Sequence, residues 1–257
     1  MARFTDKVAV VTGGAGGIGE TVATRLAEEG AKVVAVDIDE DAVTAAAERV
    51  GNGARAVAAD VSTEEGVATY VNAAVEAFGR IDLFFNNAGI EGKVSSLHET
   101  DVREFDKVLA VNVRGVYLGM QQVIRQMLDQ GDGGVIVNTA SVAGLRGFPG
   151  LGPYVASKHA VMGLTKTAAA EVGDRGIRVT SINPAPVGTH MMDRIEHGMA
   201  GEGGDPKEVH EQFASTNPLG RYASREEIAE VVCFLFSDDA TFVNAGPVLV
   251  DGGMTAT

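Results

Sequence analysis

Short apolar runs recur along the chain, separated by stretches long enough to hold a helix. Lys7–Thr12 (KVAVVT), Lys32–Val36 (KVVAV), Ala54–Ala59, Ile81–Phe85, Val135–Val137, Ile177–Asn183 (IRVTSIN) and Val248–Val250 are short and rich in β-branched residues. Glycines or polar turns bound them, which is how strands buried on both faces read. Between them the pattern turns helical. Glu20–Glu29 stops at Gly30, Glu40–Val50 follows, and Ser62-Thr63-Glu64-Glu65 opens a helix that runs to Phe78 and stops at Gly79. Val102–Gln130 reads as one long helix, with apolar positions at Phe105, Val108, Leu109, Val113, Val116 and Met120. Ser224–Phe236 begins with a capping-box pattern, Ser224-x-x-Glu227. The alternation predicts an α/β protein: a seven-stranded parallel sheet with helices on both faces, in a single domain over residues 1–257. Residues 190–217 break the rhythm. Three methionines and Gly201-Glu202-Gly203-Gly204 suggest two short helices on a hinge, the build of a substrate lid.

Chemistry-bearing residues collect where the strands end. Lys7–Thr12 runs into Gly13-Gly14-Ala15-Gly16-Gly17-Ile18-Gly19 and then a helix, which is half of a dinucleotide-binding βαβ unit. Glycines let the backbone approach a pyrophosphate, and the helix N-terminus supplies free N–H groups and the positive end of a dipole. The second strand ends at Asp37, about 20 residues past the turn, where a carboxylate bonds the ribose hydroxyls of an adenine dinucleotide. Its charge would repel a 2′-phosphate, and no arginine stands beside it or within residues 13–19. The expected cofactor is therefore NAD rather than NADP. Asp60, Asn87, Ser141 and Pro184 also lie just past strand ends, and ligands of parallel sheets bind at that edge.

Composition narrows the partners. Hydrophobic residues make up 45% of the 257, enough for a sizeable core. No apolar run approaches the roughly 18 residues of a membrane span. MARFTDKVAVVTGG enters a strand without the apolar segment of a signal peptide, so a cytoplasmic setting is expected. Cys233 stands alone, which excludes an internal disulfide and a cysteine-built metal site. A net charge of −14 argues against nucleic acid or an anionic membrane as partner. Five histidines show no HExxH or similar spacing, so no metal is expected.

Asn138–Glu171 carries the most specific signal. Tyr154 and Lys158 are four residues apart on a segment that reads as helix, so phenol and ammonium share one face. Pro153 suits the first turn of that helix. A nearby ammonium favours phenolate, which predicts a Tyr154 pKa below the usual value of about 10. Ser141, thirteen residues earlier at the end of an apolar strand, offers a hydroxyl for a substrate oxygen shared with the tyrosine. Ser-x12-Tyr-x-x-x-Lys in this setting, with the glycine turn and Asn86-Asn87-Ala88-Gly89, resembles the short-chain dehydrogenase/reductase family along essentially the whole chain.

The resemblance implies a Rossmann fold and assigns further roles. Tyr154 exchanges a proton with a carbonyl or alcohol oxygen, Ser141 holds that oxygen, and Lys158 bonds the nicotinamide ribose. Asn112 anchors a water linking Lys158 to solvent. The cofactor set becomes Gly13, Gly17, Ile18 and Gly19 at the turn, Asp37 and Ile38, Asp60 (on the adenine amino group) and Val61, then Asn87, Ala88 and Gly89. Pro184, Val187 and Thr189 complete it at the nicotinamide. Ala185 departs from the family's usual glycine, which matters if φ is positive there. Phe84–Lys93 resembles members acting on cyclic alcohols and ketones. Phe148, Leu151, Met191, Met192 and Ile195, with Ser141 and Tyr154, are the expected pocket for a small cyclic or aromatic secondary alcohol or ketone. Two other functions fit: an NADPH-dependent 3-oxoacyl-thioester reductase, which Asp37 and the acidic surface disfavour, and a non-catalytic NAD-binding sensor, which an intact Ser141, Tyr154 and Lys158 disfavours. The family also implies a homotetramer, paired through the Val102–Gln130 and Tyr154 helices.

Overall fold

A computed structural model describes residues 2–256. β1 (Val8–Thr12), β2 (Lys32–Asp37), β3 (Arg55–Ala58), β4 (Leu83–Asn86), β5 (Gly134–Thr139), β6 (Ile177–Pro184) and β7 (Pro247–Val250) form one sheet. Its order is β3-β2-β1-β4-β5-β6-β7, and every pairing is parallel. The register sets Val10 beside Val34 and Phe84, and Phe85 beside Val137. Side chains alternate between two cores. Phe84, Val10 and Ile136 bury on one face with Tyr70, while Phe85, Val11 and Val137 bury on the other with Leu26 and Ile228. Both faces are dry, which is why these strands read as continuous apolar runs rather than as an alternation.

Helices α1 (Gly17–Glu28), α2 (Glu40–Val50), α3 (Glu64–Phe78), α4 (Val102–Leu109), α5 (Val116–Gln130), α6 (Gly152–Val172), α7 (His190–Ala200), α8 (Pro206–Ser215) and α9 (Arg225–Phe236) cover the two faces. Their ends carry the expected caps. Thr63 accepts a hydrogen bond from the Gly66 N–H, Gly79 closes α3 in the left-handed region at φ 80°, and Ser224 with Glu227 forms the capping box of α9.

The expected continuous helix over Val102–Gln130 is interrupted. Residues Ala110–Gly115 form a π turn between α4 and α5. Apolar spacing does not register one wide turn, because the buried stripe continues on both sides of it. The turn carries Asn112, whose amide donates to the Ile90 carbonyl (2.8 Å) and whose oxygen accepts from the Ile90 N–H (2.8 Å). That side chain satisfies backbone groups of another segment.

Sheet order reverses at β1. β2 and β3 lie to one side and β4 to the other, so the connections after β1 and β4 diverge and leave a crevice at their carboxyl ends.

Candidate active site

The crevice is a cleft of about 870 Å³. One end is walled by Gly13, Gly16, Gly17, Ile18 and Asp37, the middle by Asn87, Ala88, Gly89, Ser141, Tyr154 and Lys158, and the other end by Phe148, Leu151, Met191, Met192 and Ile195. Pro184, Val187 and Thr189 line it too.

At the glycine end the backbone has no room for side chains on its inner side. A Cβ at Gly19 would lie 2.0 Å from the Gly13 carbonyl oxygen, and one at Gly13 (φ 66°) would lie 2.9 Å from Asn87 Nδ2. At Gly16, the N-cap of α1, a Cβ would meet nothing within 4 Å, and no side chain caps the first-turn N–H groups. Bare backbone, open space and free donors at a helix start fit a dinucleotide's diphosphate. Asp37 sits beside them: its Oδ2 accepts from the Ala15 N–H (3.2 Å) and its Oδ1 from the Ile38 N–H (2.8 Å). Ile38 stands 72% exposed next to it, an apolar side chain left at the rim.

The asparagine pair ties the strands that carry the site. Asn86, buried, donates to the Val116 carbonyl (3.0 Å) and to Asn138 Oδ1 (3.1 Å). Asn87 donates to the Thr12 carbonyl (3.0 Å) and accepts from Thr139 Oγ1 (3.0 Å). Thr12 Oγ1 accepts from the N–H groups of Asn87 (2.9 Å) and Ala88 (3.1 Å). The ends of β1, β4 and β5 are therefore locked together through Thr12 and Thr139, neither of which the sequence singled out.

Ser141 lies just past β5. Its hydroxyl accepts from the Ala143 N–H (3.1 Å), and its carbonyl accepts from Asn183 Nδ2 (3.0 Å). Tyr154 lies in the first turn of α6. Lys158, buried, donates from Nζ to the Thr139 carbonyl (2.7 Å), and Nζ stands 5.3 Å from the Tyr154 ring centre. Burial pushes the Lys158 pKa down to about 8. It pushes Tyr154 up to about 12; the Ser141 hydroxyl pulls that value down and the charge of Glu91 raises it further. The expected fall in the Tyr154 pKa is thus reversed. Desolvation is the largest cause, and the Lys158 ammonium is turned to the Thr139 carbonyl and is itself disfavoured by burial.

Not every expected site residue reaches the cleft. Gly19 lies behind the turn. Asn112 lies behind Gly89, where an added Cβ would meet Asn112 Oδ1 at 3.2 Å and Lys158 Nζ at 3.7 Å. Asn112 also donates to Ser157 Oγ (3.0 Å). Asp60 accepts from the Ser62 N–H (2.9 Å) at the start of α3, and the Val61 carbonyl abuts Gly115 of the π turn. Ala185 replaces a glycine without strain, because its φ is not positive. The walls also include Asp193, Arg194, Phe213 and Arg225, none of which the sequence singled out. Arg194 of α7 makes a two-pronged ion pair with Glu91, buried just beyond β4. Among the described residues no cluster of His, Cys, Asp or Glu could hold a metal, and no helix is long and apolar enough to cross a membrane.

A parallel sheet with a glycine turn at its switch point and a serine, tyrosine and lysine facing one cleft defines a class of nucleotide-dependent oxidoreductases. The family model described as enoyl-(acyl carrier protein) reductase matches residues 13–255. Levodione reductase of Leifsonia aquatica is 46% identical, over 99% of this chain and 96% of its own. Cyclohexanol dehydrogenase of Acinetobacter sp. (strain SE19) is 38% identical, over 99% and 97%. A crystal structure of levodione reductase superposes with a TM-score of 0.95 at 45% identity, covering 99% of this chain and 100% of that one. One of NAD+-bound xylitol dehydrogenase gives 0.94 at 38%, covering 98% and 100%. The chain belongs to the short-chain dehydrogenase/reductase family and is an oxidoreductase acting on CH–OH groups.

Proposed function

We propose that this protein is an NAD(H)-dependent enzyme interconverting a small cyclic or aromatic secondary alcohol and its ketone, with Ser141, Tyr154, Lys158 and Asn112 as its catalytic set. The observation that carries this is the meeting of Tyr154, Ser141 and Lys158 in one cleft with an apolar end of Phe148, Leu151, Met191, Met192 and Ile195. The relatives that act on levodione and on cyclohexanol support the cyclic substrate.

NAD supplies the hydride acceptor, and NADH the donor, at the nicotinamide ring. Gly13, Gly16, Gly17 and the start of α1 hold its diphosphate, Gly19 shapes that turn from behind, and Asp37 holds the adenosine ribose. Ile18 and Ile38 would flank the adenosine and Asn87, Ala88, Gly89, Pro184, Val187 and Thr189 the other half, whereas Asp60 and Val61 are set back from the cleft wall. Ser141 donates a hydrogen bond to the substrate oxygen and fixes it against Tyr154. In reduction the Tyr154 phenol gives its proton to that oxygen; in oxidation the phenolate takes one from the alcohol. Lys158, held on the Thr139 carbonyl, replenishes or removes that proton, and Asn112 steadies the water route behind Gly89. Helices α7 and α8, on the Gly201–Gly204 hinge, close over the substrate. The working unit is a cytoplasmic homotetramer, a reading supported by the exposed Phe105, Tyr117 and Phe242 and by the unpaired thiol of Cys233.

Titrating NADH against NADPH tests the cofactor assignment. A carboxylate facing a 2′-phosphate costs several kcal/mol, so the wild type should prefer NADH by about 100-fold or more. Asp37→Ala should narrow that preference about tenfold or more. An NADPH preference in the wild type would point instead to a 3-oxoacyl-thioester reductase.

The direction of the Tyr154 shift fixes a pH dependence. A phenol with a pKa raised to about 12 is protonated at neutrality, so the acid needed for ketone reduction is fully present there. The phenolate needed for oxidation grows about tenfold per pH unit below that value. Alcohol oxidation should therefore climb from pH 6 to 10 while ketone reduction does not. Flat oxidation profiles over that range would contradict the assignment.

A further inference from the structure

The apolar end of the cleft has a second layer behind it. Val142, Phe148 and Ala185 line the cleft and share one apolar cluster with Met254, which is 1% exposed and is not itself a cleft wall. A tight turn after β7 places that methionine. The Asp251 carboxylate accepts from the N–H groups of Gly253 (3.0 Å) and Thr255 (2.9 Å) and from the Thr255 hydroxyl (2.6 Å). Gly252 turns the chain at φ 59°, and a Cβ there would lie 2.8 Å from Asn217 Oδ1. β7 also holds the loop after β6, because the Ala185 N–H donates to the Val250 carbonyl (3.1 Å).

Arg146 ties the two layers together from outside. It is exposed, its guanidinium lies 5.0 Å from the centre of the Phe148 ring, and its Nη1 donates to the Met254 carbonyl (3.4 Å). One arginine therefore touches both the cleft-facing ring and the residue behind it. Ala185 brings a methyl group to the same cluster, which the family's usual glycine would lack. A methionine suits such a place, since its unbranched side chain fills irregular space. Interiors are close-packed, so a wall with solid backing does not retreat when a larger ligand presses on it.

We infer that Met254 and Arg146 are positioning residues that set the size of ring the substrate end accepts, by fixing how far Phe148 and Ala185 stand into the cleft. Neither lines the cleft itself. Removal of the Met254 side chain leaves a space behind those two, and the surroundings relax only partly into it. The remainder is room the wall can give to a larger ring. One methylene more or less in an apolar pocket changes kcat/KM by about 10- to 200-fold, so even partial yielding shows in relative rates. The inference rests on the dehydrogenase reading above and adds to it what limits the substrate's size.

The test is kcat/KM for cyclohexanol and for cyclooctanol at saturating NAD+, in wild type, Met254→Ala, Met254→Leu, Arg146→Ala and Met127→Ala. Met254→Ala should raise the cyclooctanol-to-cyclohexanol ratio about tenfold. Met254→Leu keeps nearly the same volume and should hold the ratio within about twofold of wild type. Arg146→Ala removes an exposed side chain, so it tests the wall even where Met254→Ala fails to fold, and its ratio should rise about threefold. Met127 is as deeply buried as Met254 but packs on Gly134 at the start of β5, the strand end away from the cleft. Met127→Ala should therefore lower the thermal midpoint and leave the ratio unchanged. A wild-type ratio in Arg146→Ala and in folded Met254→Ala, or an equal rise in Met127→Ala, overturns this inference alone. Wild-type enzyme that oxidises neither cyclohexanol nor any other cyclic alcohol overturns the dehydrogenase reading, and this inference with it.

Discussion

Tyr154→Phe will lose about a thousandfold or more of kcat in both directions while binding NADH as tightly as the wild type. The substitution removes only the hydroxyl, leaving the ring on α6 and the Lys158 contact with Thr139 intact. Neither neighbour replaces the phenol as the acid–base group: the Ser141 hydroxyl accepts from the Ala143 N–H and holds the substrate oxygen, and the Lys158 ammonium, 5.3 Å from the ring centre, is turned to the Thr139 carbonyl. Positioned acid–base groups contribute about a hundred- to ten-thousandfold, and a group that also orients the reacting oxygen belongs at the upper part of that range. Steady-state rates with cyclohexanol and cyclohexanone, paired with fluorescence titration of NADH, give both halves of the result. Residual activity within tenfold of wild type would remove Tyr154 from the chemistry. Loss of NADH binding together with activity would make it a structural residue of the cofactor cleft.

Gly19→Ala will cost NADH affinity about 100-fold and lower the thermal midpoint. Its Cβ would fall 2.0 Å from the Gly13 carbonyl oxygen and 2.8 Å from the Gly13 carbonyl carbon, both backbone atoms that no rotamer change can clear. The turn must open, and Gly13, already at φ 66°, carries the strain into Asn87, whose side chain holds Thr12 and Thr139. Overpacking of this kind costs about 1–3 kcal/mol of stability, and the displaced turn no longer presents its donors together. Gly16→Ala is the matched comparison. Its Cβ meets no protein atom within 4 Å, so the fold should be kept and only the cofactor's space reduced. Equal melting temperatures for wild type and Gly19→Ala would show that the turn yields more easily than the geometry implies.

The fold was legible because the central strands are dry on both sides, and the edge strands β3 and β7, though partly exposed, keep the same short apolar runs. A run such as Lys32–Val36 admits no other reading once glycines and helical stretches flank it, and all seven expected strands are present within a residue or two at each end. The site was legible where chemistry depends on spacing along one element, as with Tyr154 and Lys158 on α6. It was legible too where a residue's role comes from standing at or just past a strand end, as with Asp37 and Asn87. Features that depend on depth or on three-dimensional neighbours were not. The Tyr154 pKa moves opposite to expectation because the phenol is buried, which a spacing of four does not reveal. The π turn at Ala110–Gly115 leaves the apolar stripe intact, so nothing in the pattern marked it. The partnership of Glu91 with Arg194 spans 103 positions, and no spacing rule ties a residue of the Phe84–Lys93 stretch to one on the lid helix. An arginine among methionines on a lid helix was the only available sign.

The central position of β1 also bears on how the chain comes together as it is synthesised. The glycine turn is made early, but Asn87, which pins it, lies 75 positions after Thr12. Until β4 arrives, β1 keeps an open edge on the side where β4 will pair, and a bare parallel strand edge invites the wrong neighbour. Parallel sheets, whose contacts are distant in sequence, assemble slowly and prolong that exposure. A nascent chain halted between β3 and β4 would therefore hold β1, β2 and β3 in a half-sheet with one raw side. That stage is where a folding helper would act, and where errors of assembly would begin.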